Sequence, residues 1–405
     1  MSSKREIKYF CFLISPLLGI YYSIKDIKSK SSLILLFLFS TLWGLSYNIP
    51  INREGKFNVD ASSYRTIFET EYLNLSFDIW YKDLISYLTF SGDINDFYYQ
   101  TVFFLVSRFT SNYHVLYMVL AAIFSMFMVK SLKFLVKNEN FDISLFSMMV
   151  LFLFLNFHIM RIDNLRFPTG LWVAVYMIFK VFIAKNNRYY LLFPLLIFIH
   201  SAYYYLLLVI IVYYVLGRFR RLWIVLFIFS CFLSSIMQIL IENGFFFIPP
   251  FLQHFVGEYL EHSTDDELLR HESNRGFVFY SFYLIISHIY LCMMIFVISL
   301  KTNSNAKYLK LINFLLVLYT TTNFLYFIPI FGRRFEALSI PIIAYVWIVY
   351  RNNLGCLKKL SYLAPFVFSF QVVMDLYLYA NLTIPYFWFF SPIITAPLII
   401  SGIIY

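Results

Sequence analysis

The chain has 405 residues, of which 61% are hydrophobic and only 13% are charged, and its mean hydropathy is +0.72. Soluble domains contain about 45–50% apolar and about 25% charged residues, so an ordinary soluble domain is excluded. Solid apolar runs of about 18–22 residues recur along the chain, the length at which a helix crosses a bilayer. The sequence therefore predicts an all-α fold, a polytopic transmembrane bundle of about twelve or thirteen membrane segments, forming a single domain over residues 1–405.

The net charge of +10 does not indicate a nucleic-acid partner in a chain of this kind. Loops on the inner side of a membrane collect Lys and Arg because of how segments orient during insertion. The four cysteines, at positions 11, 231, 292 and 356, are isolated and show neither disulfide nor metal-ligand spacing.

The N-terminal third predicts one irregular segment, one crossing and a large external loop. Tyr9–Ile24 contains Pro16 and has lysines on both flanks, which favours a kinked, shallow or re-entrant helix. Ser32–Tyr47 is the first convincing span. Residues 48–112 form the external loop, and the three-to-four spacing of apolar residues within 64–88 predicts an amphipathic helix on the membrane surface.

The rest of the chain predicts further spans and a second external loop, residues 242–275. Tyr189–Leu216 has basic clusters at both ends, so we expect a pair of short helices that turn near His200–Ser201. The charges in the second loop suit either an amphipathic lid over a cleft or a plain solvated loop. The predicted spans of this part are Tyr113–Val129, Ile143–Ile159, Phe167–Ala184, Leu222–Ile241, Phe277–Leu300, Leu311–Ile330, Phe335–Tyr350, Leu360–Tyr379 and Tyr386–Ile404.

Lysine and arginine are distributed differently across this topology. Of 32 basic residues, the predicted inner side has 15 Lys and 6 Arg, and the predicted outer side has 2 Lys and 9 Arg. Insertion bias does not separate Lys from Arg in this way, whereas the planar guanidinium matches phosphate oxygens bidentately. The outer arginines are Arg53, Arg65, Arg108, Arg161, Arg166, Arg270, Arg275, Arg333 and Arg334.

Two charged breaks between apolar runs are the strongest functional signals. One is NFHIMRIDNLRFPTG, with Arg161 and Arg166, and the other contains Arg333 and Arg334. At the mouths of helix pairs these side chains predict a clamp for a phosphate or pyrophosphate group. The structural alternative is ion pairing with Asp163, Glu336 and the acidic loops.

Asp60, Tyr64 and Arg65 open the first external loop in the sequence DASSYRTIF. The Asp60 carboxylate suits a general base or a ligand for sugar hydroxyls, and Tyr64 suits stacking on a sugar ring. Asp60 suits an N-cap equally well. His200, at the predicted helix turn, is a candidate hydrogen-bond donor to phosphate or proton carrier, although a lone histidine among apolar residues is more often a core residue.

The sequence predicts no metal and no nucleotide cofactor. His262 and His271 in the second loop match no standard ligand spacing, and the chain has no phosphate-binding loop, dinucleotide fingerprint or nucleophile elbow. Ion-coupled transport is disfavoured because charges are nearly absent from the predicted span interiors.

The order of these motifs resembles the EpsG/Wzy-type polysaccharide polymerases of bacterial envelopes. The resemblance runs from about Ser32 onward and rests on Asp60 with Tyr64, Arg161 with Arg166, His200-Ser201, the charged second loop and Arg333-Arg334-Phe335. It implies a GT-C-like fold that joins undecaprenyl-pyrophosphate-linked oligosaccharide repeat units into O-antigen or capsular polysaccharide, without metal or cofactor. It places the enzyme in the bacterial inner membrane with the active site facing the periplasm.

By this resemblance Asp60 and His200 are the catalytic candidates, and Arg161, Arg166, Arg333 and Arg334 bind the pyrophosphate. Tyr64, Arg65, Arg270 and Arg275 are candidates for the sugar or the loop over it. The expected partners are the lipid-linked oligosaccharide, membrane lipid and a chain-length regulator protein. Two alternatives stay open, an O-antigen ligase-like transferase and a lipid-linked oligosaccharide flippase. The pyrophosphate interpretation requires the two arginine breaks to converge on one cleft beside His200.

Overall fold

The computed structural model describes residues 2–51, 60–89, 91, 97–242, 275–301, 308–326, 328–380 and 382–403. These residues are helical, with one isolated antiparallel bridge between Tyr47 and Thr383 and no strand. The predicted all-α membrane fold is confirmed.

The α-helices up to the middle of the chain are α1 Ser2–Ile14, α2 Pro16–Lys25, α3 Lys30–Leu45, α4 Asp60–Ile67, α5 Phe77–Leu88, α6 Tyr98–Ser107, α7 Tyr113–Val136, α8 Leu145–Phe154 and α9 Arg166–Phe182. Those that follow are α10 Leu195–Ile199, α11 Tyr204–Leu216, α12 Arg220–Glu242, α13 Arg275–Lys301, α14 Leu309–Phe324, α15 Pro329–Val349, α16 Ala364–Ala380 and α17 Pro392–Ile400.

Four helical stretches of the described chain are long and apolar enough to cross a membrane. They are Tyr113–Val136, Leu145–Ile162, Phe282–Lys301 and Gly355–Tyr377. Lys30–Leu45 and Ser201–Leu216 are apolar but shorter. The total of twelve or thirteen membrane segments stays a prediction, as does the treatment of the chain as one domain.

The N-terminal segment is broken where the sequence predicts a break. Backbone at Ser15 is extended, and α2 begins at Pro16, whose missing N–H is tolerated in a first helical turn. A Cβ at Gly19 would overlap Phe12, so α1 and α2 approach closely. Buried Lys8 reaches Asp26, with 2.7 Å between Nζ and Oδ2, and ties α1 to the segment before α3.

Helix α5 has the character predicted for a surface helix. The Ser76 hydroxyl accepts a hydrogen bond from the backbone N–H of Ile79 and caps its N-terminus. None of its residues is buried, and Phe77 and Leu88 leave 59% and 58% of their surface exposed. Trp80 stacks on Phe104 of α6 with ring centroids 5.0 Å apart. A membrane surface is the natural environment for such an apolar exposed face.

The core of the bundle is built around α7, which packs against both α3 and α9. A Cβ at Gly44 of α3 would overlap the Tyr117 carbonyl, so only glycine permits this close approach. Helix α15 packs against α8, α9 and α14. The Trp172 indole of α9 is fully buried and donates to the Phe157 carbonyl at 3.1 Å, which ties α9 to the segment before it.

Candidate functional site

The site forms at the break between α8 and α9. A 3-10 helix, Ile159–Asn164, follows α8, and Leu165 then adopts a positive φ of 23°. Such a backbone conformation is costly for a residue with a β-carbon, and it separates the 3-10 helix that contains Arg161 from the helix that begins at Arg166. Helix α9 begins at Arg166, with Pro168 in its first turn, where a missing N–H is harmless.

Arg166 and Arg334 lie beside His200 although they come from distant parts of the chain. The His200 ring lies 6.0 Å from the ring of Phe167, the residue that follows Arg166. The Arg166 guanidinium lies 5.7 Å from the ring centroid of Tyr99, and that of Arg334 lies 5.5 Å from the ring of Phe167. The structure thus brings these three side chains together, as a shared phosphate site requires, while their roles stay predictions.

His200 lies at a break between α10 and the next helix, at the position where the sequence predicts a turn. Its backbone is extended, and Nδ1 accepts a hydrogen bond from the backbone N–H of Ala202 at 3.1 Å. The neutral ring therefore has its proton on Nε2. His200 is 4% exposed. Its available chemistry is that of an Nε2–H donor beside two guanidinium groups.

Aromatic rings hold this turn against α9. Tyr203 stacks on Phe167 with centroids 5.4 Å apart and planes 6° apart, and its hydroxyl donates to the Phe167 carbonyl at 2.8 Å. A Cβ at Gly170 would overlap the Tyr203 ring. Phe335 of α15 packs edge-on against Phe167 at 5.9 Å. These contacts fix the positions of the residues next to Arg166, Arg334 and His200.

The first external motif lies against the same region through Tyr64. Its ring lies 6.0 Å from the Arg166 guanidinium and 5.5 Å from the Tyr99 ring. Asp60 is the exposed first residue of α4, one helical turn before Tyr64 and on the same face. Asp60 therefore lies one helical turn from Tyr64, which contacts Arg166.

Arg65 is engaged in contacts within the fold. Its Nε donates to Glu69 at 2.8 Å, a second nitrogen donates to the Ile49 carbonyl, and the guanidinium lies 3.7 Å from the Tyr113 ring centroid. These contacts tie α4 to the end of the preceding segment and to α7. They make positioning of α4 the role that the structure supports for Arg65.

Arg161 belongs to a second polar cluster, which sequence reasoning missed. Its Nε lies 2.9 Å from Oδ2 of Asp375, and a terminal nitrogen lies 3.3 Å from Oδ1. The Nε2 atom of His158 lies 3.2 Å from the same carboxylate. Asp375 is 7% exposed, and Gln371, one turn earlier on α16, lies beside Asn156 with a 3.4 Å contact. The sequence offers one signal for this cluster, because Asp375 is an isolated carboxylate in the apolar run 360–379.

The remaining sequence candidates lie elsewhere or outside the described residues. Arg333 and Arg334 lie in the second turn of α15, so the predicted break at these residues is wrong. Glu336 lies 3.0 Å from Nδ1 of His288. Arg275 begins α13, but its side chain is outside the described part of the chain. Arg270 and the predicted lid, with His262 and His271, lie in residues 243–274 and are also outside it. Among the described residues, no group of three His, Cys, Asp or Glu side chains is arranged to hold a metal ion.

The fold and the site define a helical membrane protein with an arginine site at a break between helices. A model of the EpsG family matches residues 53–388, and the chain belongs to this family. Membership indicates a polysaccharide polymerase-type, glycosyltransferase-like function and confirms the resemblance seen in the motifs. No curated protein and no solved structure matches the chain. The GT-C-like arrangement stays a prediction.

Proposed function

We propose that this protein polymerises oligosaccharide repeat units carried on undecaprenyl pyrophosphate, at the outer face of the bacterial inner membrane. The growing chain leaves its lipid pyrophosphate and is joined to a hydroxyl of the next repeat unit. The observation that carries the proposal is that Arg334 and His200, from distant parts of the chain, both pack on the ring of Phe167, the residue next to Arg166.

The chemistry of these side chains suits a departing pyrophosphate. When the glycosidic bond to the lipid carrier breaks, negative charge develops on the leaving oxygen. Two guanidinium groups and an Nε2–H donor are fixed in advance by the packing of Phe167, Tyr203 and Phe335. Preorganised donors of this kind stabilise charge without reorganisation during the reaction.

We propose different roles for the arginines of the two polar clusters. Arg161 is held bidentately by Asp375, so its charge is already partly balanced inside the protein. We assign the main pyrophosphate contact to Arg166 and Arg334, with Arg161 and Arg333 at the margins. Asp60, one helical turn before Tyr64, is the candidate base for the attacking hydroxyl. The rings of Tyr64 and Tyr99 offer faces on which a sugar can stack.

The test is complementation of a strain lacking the gene. Wild-type protein should restore a ladder of polysaccharide chain lengths, and Arg166→Ala or Arg334→Ala should reduce polymerisation about 100-fold or more, as loss of a transition-state donor does. Arg166→Lys and Arg334→Lys keep the charge but lose the planar fork, so we expect partial activity. The readout is the ladder on a gel, with membrane insertion measured by immunoblot.

Arg188→Ala is the matched control, because this arginine is exposed and, within the described part of the chain, its one hydrogen bond that involves a side chain is from its backbone N–H to the Asn186 side chain. It should support a normal ladder. Normal ladders from both Arg166→Ala and Arg334→Ala would refute the pyrophosphate clamp.

The same deletion strain separates the polymerase from a ligase. A polymerase deletion should leave single repeat units still attached to their final acceptor. A ligase deletion should instead leave long chains on the lipid carrier. The second result would overturn the polymerase proposal while leaving the pyrophosphate site intact.

A further inference from the structure

An open cavity of about 670 Å³ lies among α7, α9, α14 and α15. Four lysines surround it: Lys130, Lys133 and Lys137 on or just after the last turns of α7, and Lys180 on α9. Its apolar wall includes Phe134, Tyr176 and Tyr345. A large cavity with an aromatic wall and a rim of ammonium groups has the composition of a ligand site.

The charge around this cavity is unbalanced. In the described part of the chain, none of the four lysines forms an ion pair. The lining contains one carboxylate, Glu139. The next carboxylate in the sequence, Asp142, forms an ion pair with Arg351. The Arg351 guanidinium holds the pKa of Asp142 well below its usual range. Like charges around one cavity repel, so an anion there is favourable.

The arrangement differs from lysines that only mark the inner side of a membrane. Such lysines have no reason to converge on one recess. Here Lys130 and Lys180 come from different helices, and their Nζ atoms lie 5.8 and 5.4 Å from the centroid of one ring, that of Tyr176. Lys180 is half-buried.

The cavity lies far from the arginine site. Arg166 begins α9, and Lys180 follows fourteen residues later, which is roughly 21 Å along the helix. One end of the helix thus contacts the site of the proposed chemistry, and the other contacts the cavity.

We propose that the lysine cavity binds a phosphate-bearing ligand with two or more negative charges, at the membrane face opposite the arginine site. Ammonium groups bind phosphate as point charges, and basic recesses between transmembrane helices accommodate lipid head groups. Two sources share this chemistry, an anionic phospholipid and a soluble pyrophosphate compound. The proposal does not rest on the polymerase activity.

The experiment measures binding to the full chain purified in a neutral detergent. Mixed micelles containing cardiolipin are one probe, inorganic pyrophosphate is the second, and phosphatidylcholine micelles are the neutral comparison. We expect one anionic probe to raise the midpoint of thermal unfolding. Lys133→Gln/Lys137→Gln should raise the apparent Kd of that probe about tenfold or more, equivalent to loss of about 1.4 kcal/mol of binding free energy. Both lysines are exposed, so the fold should tolerate the change.

Lys301→Gln/Lys359→Gln is the matched control, with the same change in charge at exposed lysines outside the cavity. Its Kd should equal that of the wild type. Lys133→Arg/Lys137→Arg keeps the charge and should retain binding. A cardiolipin response identifies a lipid site, and a pyrophosphate response identifies a soluble ligand. Failure of both anionic probes, or equal loss in the cavity and control variants, would overturn the proposal.

Discussion

His200 shows how one hydrogen bond can assign a role to a side chain. Because Nδ1 accepts from Ala202, the ring both caps the following 3-10 helix and directs Nε2–H away from that turn. The sequence left a choice between a proton carrier, a donor and a core residue. The observed contact favours the donor, since the acceptor nitrogen is already used by the backbone.

Asparagine and glutamine at position 200 separate the two functions of the ring. The Asn amide can occupy the position of Nδ1, and the longer Gln amide can reach the position of Nε2. We expect His200→Asn to insert stably but to lose the polysaccharide ladder, and His200→Gln to retain more activity at lower stability. Thermal midpoints and ladders from the two variants provide the comparison. Equal activity from both would exclude Nε2 as the functional atom.

Arg161 offers a second test at the level of single residues. If Asp375 holds Arg161 for structural reasons, removal of one partner leaves a poorly compensated charge and costs about 1–3 kcal/mol. Asp375→Leu should therefore destabilise the protein, whereas Arg161→Met/Asp375→Leu should recover most of the loss. Stability of all three variants is measured by thermal unfolding.

The polysaccharide ladder of the double variant then decides the role of Arg161. A normal ladder would identify it as a positioning residue. A stable double variant without a ladder would show instead that the guanidinium contributes directly to activity.

Among the elements, α9 is the one on which the site depends. Its first turn contains Arg166, its Phe167 ring and carbonyl both hold Tyr203, and Gly170 leaves room for that ring. The hairpin with His200 is thus attached directly to the helix that begins at Arg166. Small movements of Tyr203 must therefore change the distance between His200 and the arginines.

Gly170→Ala should disturb this attachment. The added methyl group overlaps a ring that is fixed on both sides, and overpacking of this kind costs about 1–3 kcal/mol. We expect lower thermal stability and reduced polymerisation. Tyr203→Leu makes room for the methyl group, so Gly170→Ala/Tyr203→Leu should be less destabilised than the sum of the single variants. Strict additivity would mean that the two residues do not contact each other.

At the scale of the whole molecule, the topology predicts a sidedness that can be measured directly. Lys82 is exposed on the surface helix α5, and Arg188 is exposed after α9. In a cysteine-free background, a membrane-impermeant maleimide should label Lys82→Cys in intact spheroplasts and Arg188→Cys only after permeabilisation. The reverse pattern would contradict the outer location of the arginine site.

Hydropathy and turn chemistry were sufficient to predict much of this architecture. The break before Pro16 and the helix break at His200 follow from local sequence. The predicted surface helix within 64–88 is found only as α5, Phe77–Leu88, because the preceding stretch buries Tyr64, Phe68 and Tyr72. Local sequence could not distinguish Arg161 from Arg166, which lie in one short charged segment. The 3-10 helix and the positive φ of Leu165 direct them to different partners.

Long-range partners were beyond a single sequence. The Asp375 carboxylate and the Lys8 ammonium find their partners 214 and 18 residues away, and no local period relates those positions. Arg65 was a sugar-binding candidate because of its place beside Tyr64, but its contacts depend on how α4 packs on Ile49 and Tyr113. Tertiary packing thus decides which partners each arginine contacts.

The pairing of Arg161 with Asp375 also has a consequence for biogenesis. The first half of the site is synthesised long before α15 and α16, yet Arg334 and Asp375 both belong to those late helices. Until they insert, Arg161 and Arg166 lack these two neighbours. The ion pair of Arg161 with Asp375 and the contact of Arg334 with Phe167 therefore form only after the late helices have joined the bundle.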